Sequence, residues 1–181
     1  MTRNWIKSAL LTALLALGAH IALEPAEARS RGASAWDQQR AAPGTLVSFE
    51  AHYPAGSIIV VNTERKLYYV LGHGRALRYP IAIGTPRNQW TGKSFVQRKA
   101  KNPSWTPPWN RRRTIPGGPR NPLGKRALYL DWGLYRIHGT NAPGSIGRAT
   151  SHGCIRMHNR HVMDLYERVH IGAPVFVVRS L

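Results

Sequence analysis

The chain holds a single cysteine, Cys154, in Ser151-His152-Gly153-Cys154-Ile155-Arg156, and a histidine precedes it in Ile137-His138-Gly139-Thr140. One thiol cannot form an internal disulfide, and in an oxidising compartment an unpaired exposed thiol is a liability that chemistry would justify. A thiol becomes a strong nucleophile when a base or a positive charge favours its thiolate. In an extended segment His152, two residues away, shares a face with Cys154. His138, sixteen positions upstream, can return on a neighbouring strand. Gly139 and Gly153 allow backbone to approach a reacting centre and could leave amides free for an oxyanion. The competing reading is a buried cysteine in a glycine turn with the histidines on the surface. A zinc site from His138, His152 and Cys154, with His158 or His161 nearby, has suitable ligand types. It lacks the neighbouring carboxylate base of a zinc hydrolase, and no metal is expected.

The elements that must position these groups can be read from hydrophobic pattern. Residues 1–28 read as a secretory signal peptide: Arg3 and Lys7 begin it, an apolar run follows, and Ala26-Glu27-Ala28 fits a cleavage site. That apolar run is short of the roughly 20 residues a bilayer requires, so an exported product in the periplasm or cell envelope is expected. Residues 29–56, rich in Ala, Gly, Ser, Arg and Pro, read as a flexible leader. Residues 57–181 then form one catalytic domain. Residues 57–62 and 66–71 predict a hairpin, and residues 76–83 a third strand. Residues 101–124 predict a long irregular loop, in which Trp105 or Trp109 beside Arg111-Arg112-Arg113 could grip a sugar or a carboxylate. The alternative packs the tryptophans in the core and leaves the arginines solvated. Residues 128–130 and 134–138 predict strands around an Asp131-Trp132-Gly133 turn, with His138 at a strand end. Asn159 is expected to cap a helix whose apolar face is Val162, Leu165, Tyr166 and Val169, closed by Gly172. Residues 175–178 read as a last buried strand.

The formal net charge is +18. Arg3, Lys7, Glu24 and Glu27 cancel within residues 1–28, so an exported product keeps all of it. Such a charge attracts polyanions. Export disfavours nucleic acid and leaves anionic membrane surface or acidic wall polymer, although a basic surface also serves solubility alone. Oligomeric state is left open.

From about residue 57 to 178 the sequence resembles the L,D-transpeptidase catalytic domain, or YkuD domain. The resemblance rests on His138, the spacer, and Ser151 to Arg156. Asn102-Pro103-Ser104-Trp105-Thr106-Pro107-Pro108, Pro116-Gly117-Gly118, Asn121-Pro122-Leu123-Gly124 and His138-Gly139-Thr140-Asn141 add to it. It implies a mainly β fold, a mixed β-sandwich with one main amphipathic helix near the C-terminus. It also implies acyl transfer on peptidoglycan stem peptides, as donor and acceptor, without a cofactor. Cys154 would be the nucleophile, His138 the base and Gly139 the carbonyl that orients it. Amides around His152, Gly153 and Cys154 would hold the oxyanion, while Ser151, Arg156 and Asn141 would shape or bind substrate. His152 as the base remains an alternative. So do carboxypeptidase action, attachment or release of a wall-linked lipoprotein, and a non-catalytic wall-binding protein.

Overall fold

The structure is a computed structural model that describes residues 44–181. The expected signal peptide and the first part of the leader lie outside the described residues. Among the described residues there are ten strands: β1 (Thr45–Ser48), β2 (Ile58–Val61), β3 (Lys66–Gly72), β4 (Arg75–Gly84), β5 (Gly92–Lys101), β6 (Arg126–Leu130), β7 (Arg136–His138), β8 (Ala149–Ser151), β9 (Ile155–Met157) and β10 (Pro174–Val178). The α-helix α1 (Asn159–Arg168) lies between β9 and β10.

The strands run in the order β1-β4-β3-β2-β10-β5-β6-β7-β9, and β4 also pairs with β8 and β9. The expected mixed sheet fold is therefore present, with one difference from a simple sandwich. β4 is long enough to serve both ends of the path. Its first half pairs with β1 and β3, and Ile81 and Ala82 pair with Met157 and Arg156 of β9. The sheet thus curls back on itself around the main core, which includes Ile58, Val60, Tyr79, Ile81, Leu128, Ile137, Ile155 and Leu165.

The hairpin of β2 and β3 and the long β4 follow the pattern in the sequence. Two regions do not. β5 has only Ser94 and Val96 buried among lysines, arginine and glutamine, so it lacks the apolar run that marks a strand. It forms because β10 and β6 offer it partners on both edges. The second departure corrects the flexible-leader reading for residues 44–56. β1 adds to β4, and Phe49 and Tyr53 cover the outer face of β2 and β10, packing with Tyr68 and Phe176 at ring separations of 5.0 and 4.9 Å. This cover explains why all four residues of β2 are buried. Ile58 and Val60 face the main core, while Ile59 and Val61 face the smaller cluster beneath Phe49.

α1 buries Val162, Leu165 and Tyr166 as expected, but both of its ends are corrected. The N-cap position is His158, without a side-chain cap, and Asn159 is the first helical residue. The helix stops at Arg168, before Gly172, where Val169 turns extended. Lys99 of β5 holds that end, its ammonium donating to the Tyr166 and Val169 carbonyls at 2.6 and 2.5 Å. A cation here also meets the negative end of the helix dipole.

Candidate functional site

The two motif segments meet because β7 and β9 pair in parallel, with Ile137 beside Ile155 and His138 beside Arg156. Both isoleucines point into the core. Side chains alternate along strands, so His138, Arg156, Arg136 and the Cys154 that immediately precedes β9 are directed to the opposite side. The sequence separation between His138 and Arg156 is thereby reduced to one interstrand step, about 4.8 Å, with Cys154 two positions before Arg156.

His138 ends β7, as expected, yet it is buried at 4% exposure. Its Nδ1 lies 2.6 Å from the Gly139 carbonyl oxygen. A carbonyl can only accept, so Nδ1 carries the proton and the Nε2 lone pair is free. Burial, with Arg156 and Arg136 adding to it, pushes the imidazole down to about 4 against the opposing pull of the Gly139 bond. His138 is therefore neutral at pH 7. Cys154 is partly exposed, and its thiol donates to the Leu134 carbonyl at 3.8 Å. No Cys154–His138 hydrogen bond is formed among the described residues, in keeping with the looseness of catalytic contacts in unliganded sites.

The turn that carries Cys154 is braced from within and from above. The Ser151 hydroxyl donates to the Cys154 carbonyl at 2.5 Å and accepts from the Gly153 amide at 3.1 Å. That second bond corrects the expectation for Gly153: its amide is engaged and is not free for an oxyanion. The amides of His152 and Cys154 make no turn or loop hydrogen bond among the described residues. Gly153 has φ of +106°, and a Cβ there would fall 2.4 Å from the Tyr135 ring. Its carbonyl accepts from the Trp90 indole at 3.0 Å, and Trp90 stacks on Tyr135 at 4.7 Å and 15°. Trp90 and Tyr135 thus cover the turn, and sequence reasoning missed both. Trp90 is distant in sequence from the motifs, and Tyr135, three residues before His138, reads only as part of the strand pattern. His152 is exposed.

Asn159 is the other residue whose role was missed. Its Oδ1 accepts from the Lys125 and Thr140 amides at 3.0 and 3.3 Å, and its Nδ2 donates to the Thr140 carbonyl at 2.9 Å. It clamps the segment that follows His138 to the start of α1. A Cβ on Gly139 would stand 2.2 Å from that Oδ1. Glycine at 139 therefore lets Asn159 reach the backbone whose carbonyl orients His138.

Arg156 is partly buried, and neither of the two salt bridges among the described residues involves it. The Asn141 Nδ2 donates to the Arg120 carbonyl at 3.1 Å, tying two loops together. The long loop lacks regular structure apart from a Trp105–Ile115 bridge. With Arg98, Lys101, Tyr129 and Arg136, Trp105 lines a cavity of about 470 Å³. The arginines of this cavity come from the sheet, whereas Arg111, Arg112 and Arg113 are exposed elsewhere and Trp109 is 75% exposed. Among the described residues, no three His, Cys, Asp or Glu side chains converge as a metal site would require. The zinc alternative therefore lacks its geometry.

Residues 56–177 match the family model of the L,D-transpeptidase catalytic domain. The protein named "Probable L,D-transpeptidase YbiS" of Escherichia coli K12 is 39% identical over 135 residues, 65% of this chain and 43% of that protein. "Probable L,D-transpeptidase ErfK/SrfK" of the same organism is 40% identical over 138 residues, 66% and 43% of the two chains. The chain thus matches less than half the length of these relatives. Among solved structures, the catalytic domain of the Enterococcus faecium L,D-transpeptidase superposes with a TM-score of 0.55 at 23% identity. That match covers 71% of this chain and 100% of that one. A Mycobacterium smegmatis L,D-transpeptidase gives a TM-score of 0.54 at 18% identity, with 67% and 57% covered. At these identities the structures speak for the fold, and the family match supplies the assignment. The chain belongs to the L,D-transpeptidase catalytic domain family.

Proposed function

We propose that the protein is a cysteine-dependent L,D-transpeptidase that acts on peptidoglycan stem peptides in the cell envelope. The observation that carries this reading is the parallel pairing of β7 with β9, which brings an oriented, neutral His138 beside the turn bearing Cys154. In the proposed reaction the thiol attacks the carbonyl of a diaminopimelate residue in a tetrapeptide stem. As the carbon–sulfur bond forms, the thiol proton passes to His138 Nε2. A buried imidazole with so low a proton affinity favours transfer in concert with attack over a standing thiolate–imidazolium pair. It also makes the protonated ring a ready acid. Collapse of the tetrahedral intermediate breaks the carbon–nitrogen bond, and His138 returns the proton to the departing amine of D-alanine. A second stem's amine then attacks the thioester, loses its proton to His138 and releases the thiol, giving a 3→3 crosslink.

The amides of His152 and Cys154 are the candidate oxyanion donors, since Ser151 holds the amide of Gly153. Ser151 and Gly153 serve by shaping the turn. Arg156 and Arg136, both directed toward the site, suit a stem carboxylate. The exposure of His152 makes it a poorer base than His138, whose tautomer is fixed by Gly139. Asn141 acts through the loop it ties.

The test is mass spectrometry of diaminopimelate tetrapeptide muropeptides incubated with the protein and with its Cys154→Ala variant. Loss of D-alanine together with a new dimer, both absent in the variant, is the expected result. D-alanine loss without dimer would replace crosslinking by carboxypeptidase action. Transfer only to a protein amine would make lipoprotein attachment the activity. The absence of any Cys154-dependent product would turn the reading toward a wall-binding role.

A further inference from the structure

A second concavity, of about 540 Å³, lies apart from the one beneath the long loop, and neither Cys154 nor His138 lines it. Its walls come from the β2–β3 turn, the segment between β4 and β5, and the residue after β10. Among the lining residues are Thr63, Arg65, Gln89, Trp90, Thr91 and Arg179. Backbone and side-chain bonds fix these walls to one another. Thr63 donates to the Arg179 carbonyl from its amide and its hydroxyl, at 3.0 and 2.8 Å. The Asn62 side-chain amide donates to the Trp90 carbonyl at 3.0 Å.

Two positive charges stand at this concavity without a carboxylate. The salt bridges among the described residues are Arg126–Glu167 and Arg168–Asp164, so neither Arg65 nor Arg179 has an acidic partner there. The acid next in sequence, Glu64, accepts from the Tyr68 hydroxyl at 2.5 Å. Arg65 also has φ of +52°, the left-handed region that glycine or asparagine occupies at lower cost. A strained non-glycine residue at a site lip points to a role for its side chain. Its Nη1 donates to the Gly147 carbonyl at 3.3 Å, which leaves the other guanidinium donors for a ligand.

We infer that this concavity is a binding site for a carboxylate-bearing peptide segment, separate from the catalytic centre. Arg65 and Arg179 pair with the carboxylate, Thr63, Thr91 and Gln89 meet peptide groups, and Trp90 provides an apolar wall. Trp90 gives the site a physical link to catalysis, because its indole N–H holds the Gly153 carbonyl in the turn that bears Cys154. The inference stands apart from the transpeptidase reading, since it concerns binding and not turnover.

The experiment is an NMR titration of the ¹⁵N-labelled protein with N-acetyl-glutamyl-alanine, following the Trp90 indole N–H, which is assigned by comparison with Trp90→Phe. A saturable shift is expected. Arg65→Gly combined with Arg179→Ala should raise the midpoint at least about tenfold. Glycine suits the backbone at 65, and the backbone bonds of residue 179 are untouched, so this variant retains its fold. Arg111→Ala with Arg113→Ala removes the same charge from the distant loop and should change the midpoint less than about twofold. Equal weakening in both double variants would reduce the effect to the general charge of the chain and overturn the site. So would the absence of a saturable shift in the unaltered protein. Should the first double variant fold poorly, Arg179→Ala alone carries the test with the same expected direction.

Discussion

The turn at residues 151–154 and the loop at residues 102–124 are both irregular segments rich in small residues, yet they are built to opposite ends. The turn is braced at several points: Ser151 bridges its ends, Trp90 holds the Gly153 carbonyl, and Tyr135 presses on the glycine. The loop is held mainly at its base. Asn121 Nδ2 donates to the Pro103, Ile115 and Pro116 carbonyls, while Trp109 and Arg111 to Arg113 stand out in solvent. Chemistry that depends on distances of a few tenths of an ångström needs the first kind of segment. Contact with a large polymer tolerates the second. A braced turn at the proposed nucleophile and a loop that leaves Trp109 and its arginines in solvent are the two halves of this contrast.

The contrast can be broken first at its rigid end. Cys154→Ala should remove at least about three orders of magnitude of muropeptide product in the mass-spectrometric assay, with no change in melting temperature beyond a few degrees. Gly153→Ala should be nearly as damaging through the fold. The new Cβ meets the Tyr135 ring, and the backbone at +106° disfavours any side chain. A loss of roughly 2–4 kcal/mol is expected from thermal or urea unfolding. Asn159→Ala comes next, because it frees the Lys125 and Thr140 amides and the Thr140 carbonyl at once. Unfolding should report a loss of about 2 kcal/mol, and turnover should fall about tenfold as the Gly139 segment loosens around His138.

A pH profile sharpens the same comparison. His138, at about 4 in the folded protein, lies below its ordinary value of 6.5. The unfolded chain therefore binds a proton between pH 6.5 and 4 that the folded chain refuses. Stability contributed by this group is complete above pH 6.5 and is lost as pH falls toward 4, by on the order of 3 kcal/mol. His161, also pushed down to about 4 by burial, adds in the same direction. Melting temperature should drop steadily across that window, and less so in His138→Gln. The acid limb of the acylation rate should fall near pH 4 and not near 6.5, because the base stays neutral until then. The smallest effect belongs to the exposed end of the comparison: Trp109→Ala should leave unfolding within about 0.5 kcal/mol, given its exposure. Any loss it causes should appear in KM with kcat unchanged.

Much of the fold was legible where burial and local pattern agree. The β2–β3 hairpin, β4, the apolar face of α1 and β10 all show periodic apolar residues, and the structure contains each of them. β5 was not legible because its alternation is carried by two small or medium residues among charges. β1 was hidden in a stretch of little periodicity, since it gains its strand partner only by adding to the distant edge of β4. The same divide runs through the site. His138, Gly139, Ser151 and Cys154 stand close in two short motifs and were readable as a set. Trp90 and Tyr135 act from the irregular segments before β5 and β7, and Asn159 from the start of the helix, through contacts that no local pattern encodes. Asn159 illustrates the limit most clearly: its residue type suited a helix cap, but its side chain was claimed by three backbone groups around Lys125 and Thr140.

By itself the sequence determined which residue types were available: one thiol, histidines at workable spacing, glycines where backbone must come close, and enough alternating apolar residues for a β-rich core. Only the tertiary structure decided which of these groups meet. Strand register places His138 beside Arg156, burial strips its water and keeps the ring neutral, and packing of Tyr135 and Trp90 commits the Gly153 turn to one shape. The physical reason is that orientation and desolvation are properties of contacts between distant segments, and they come into being only when the sheet closes around its core.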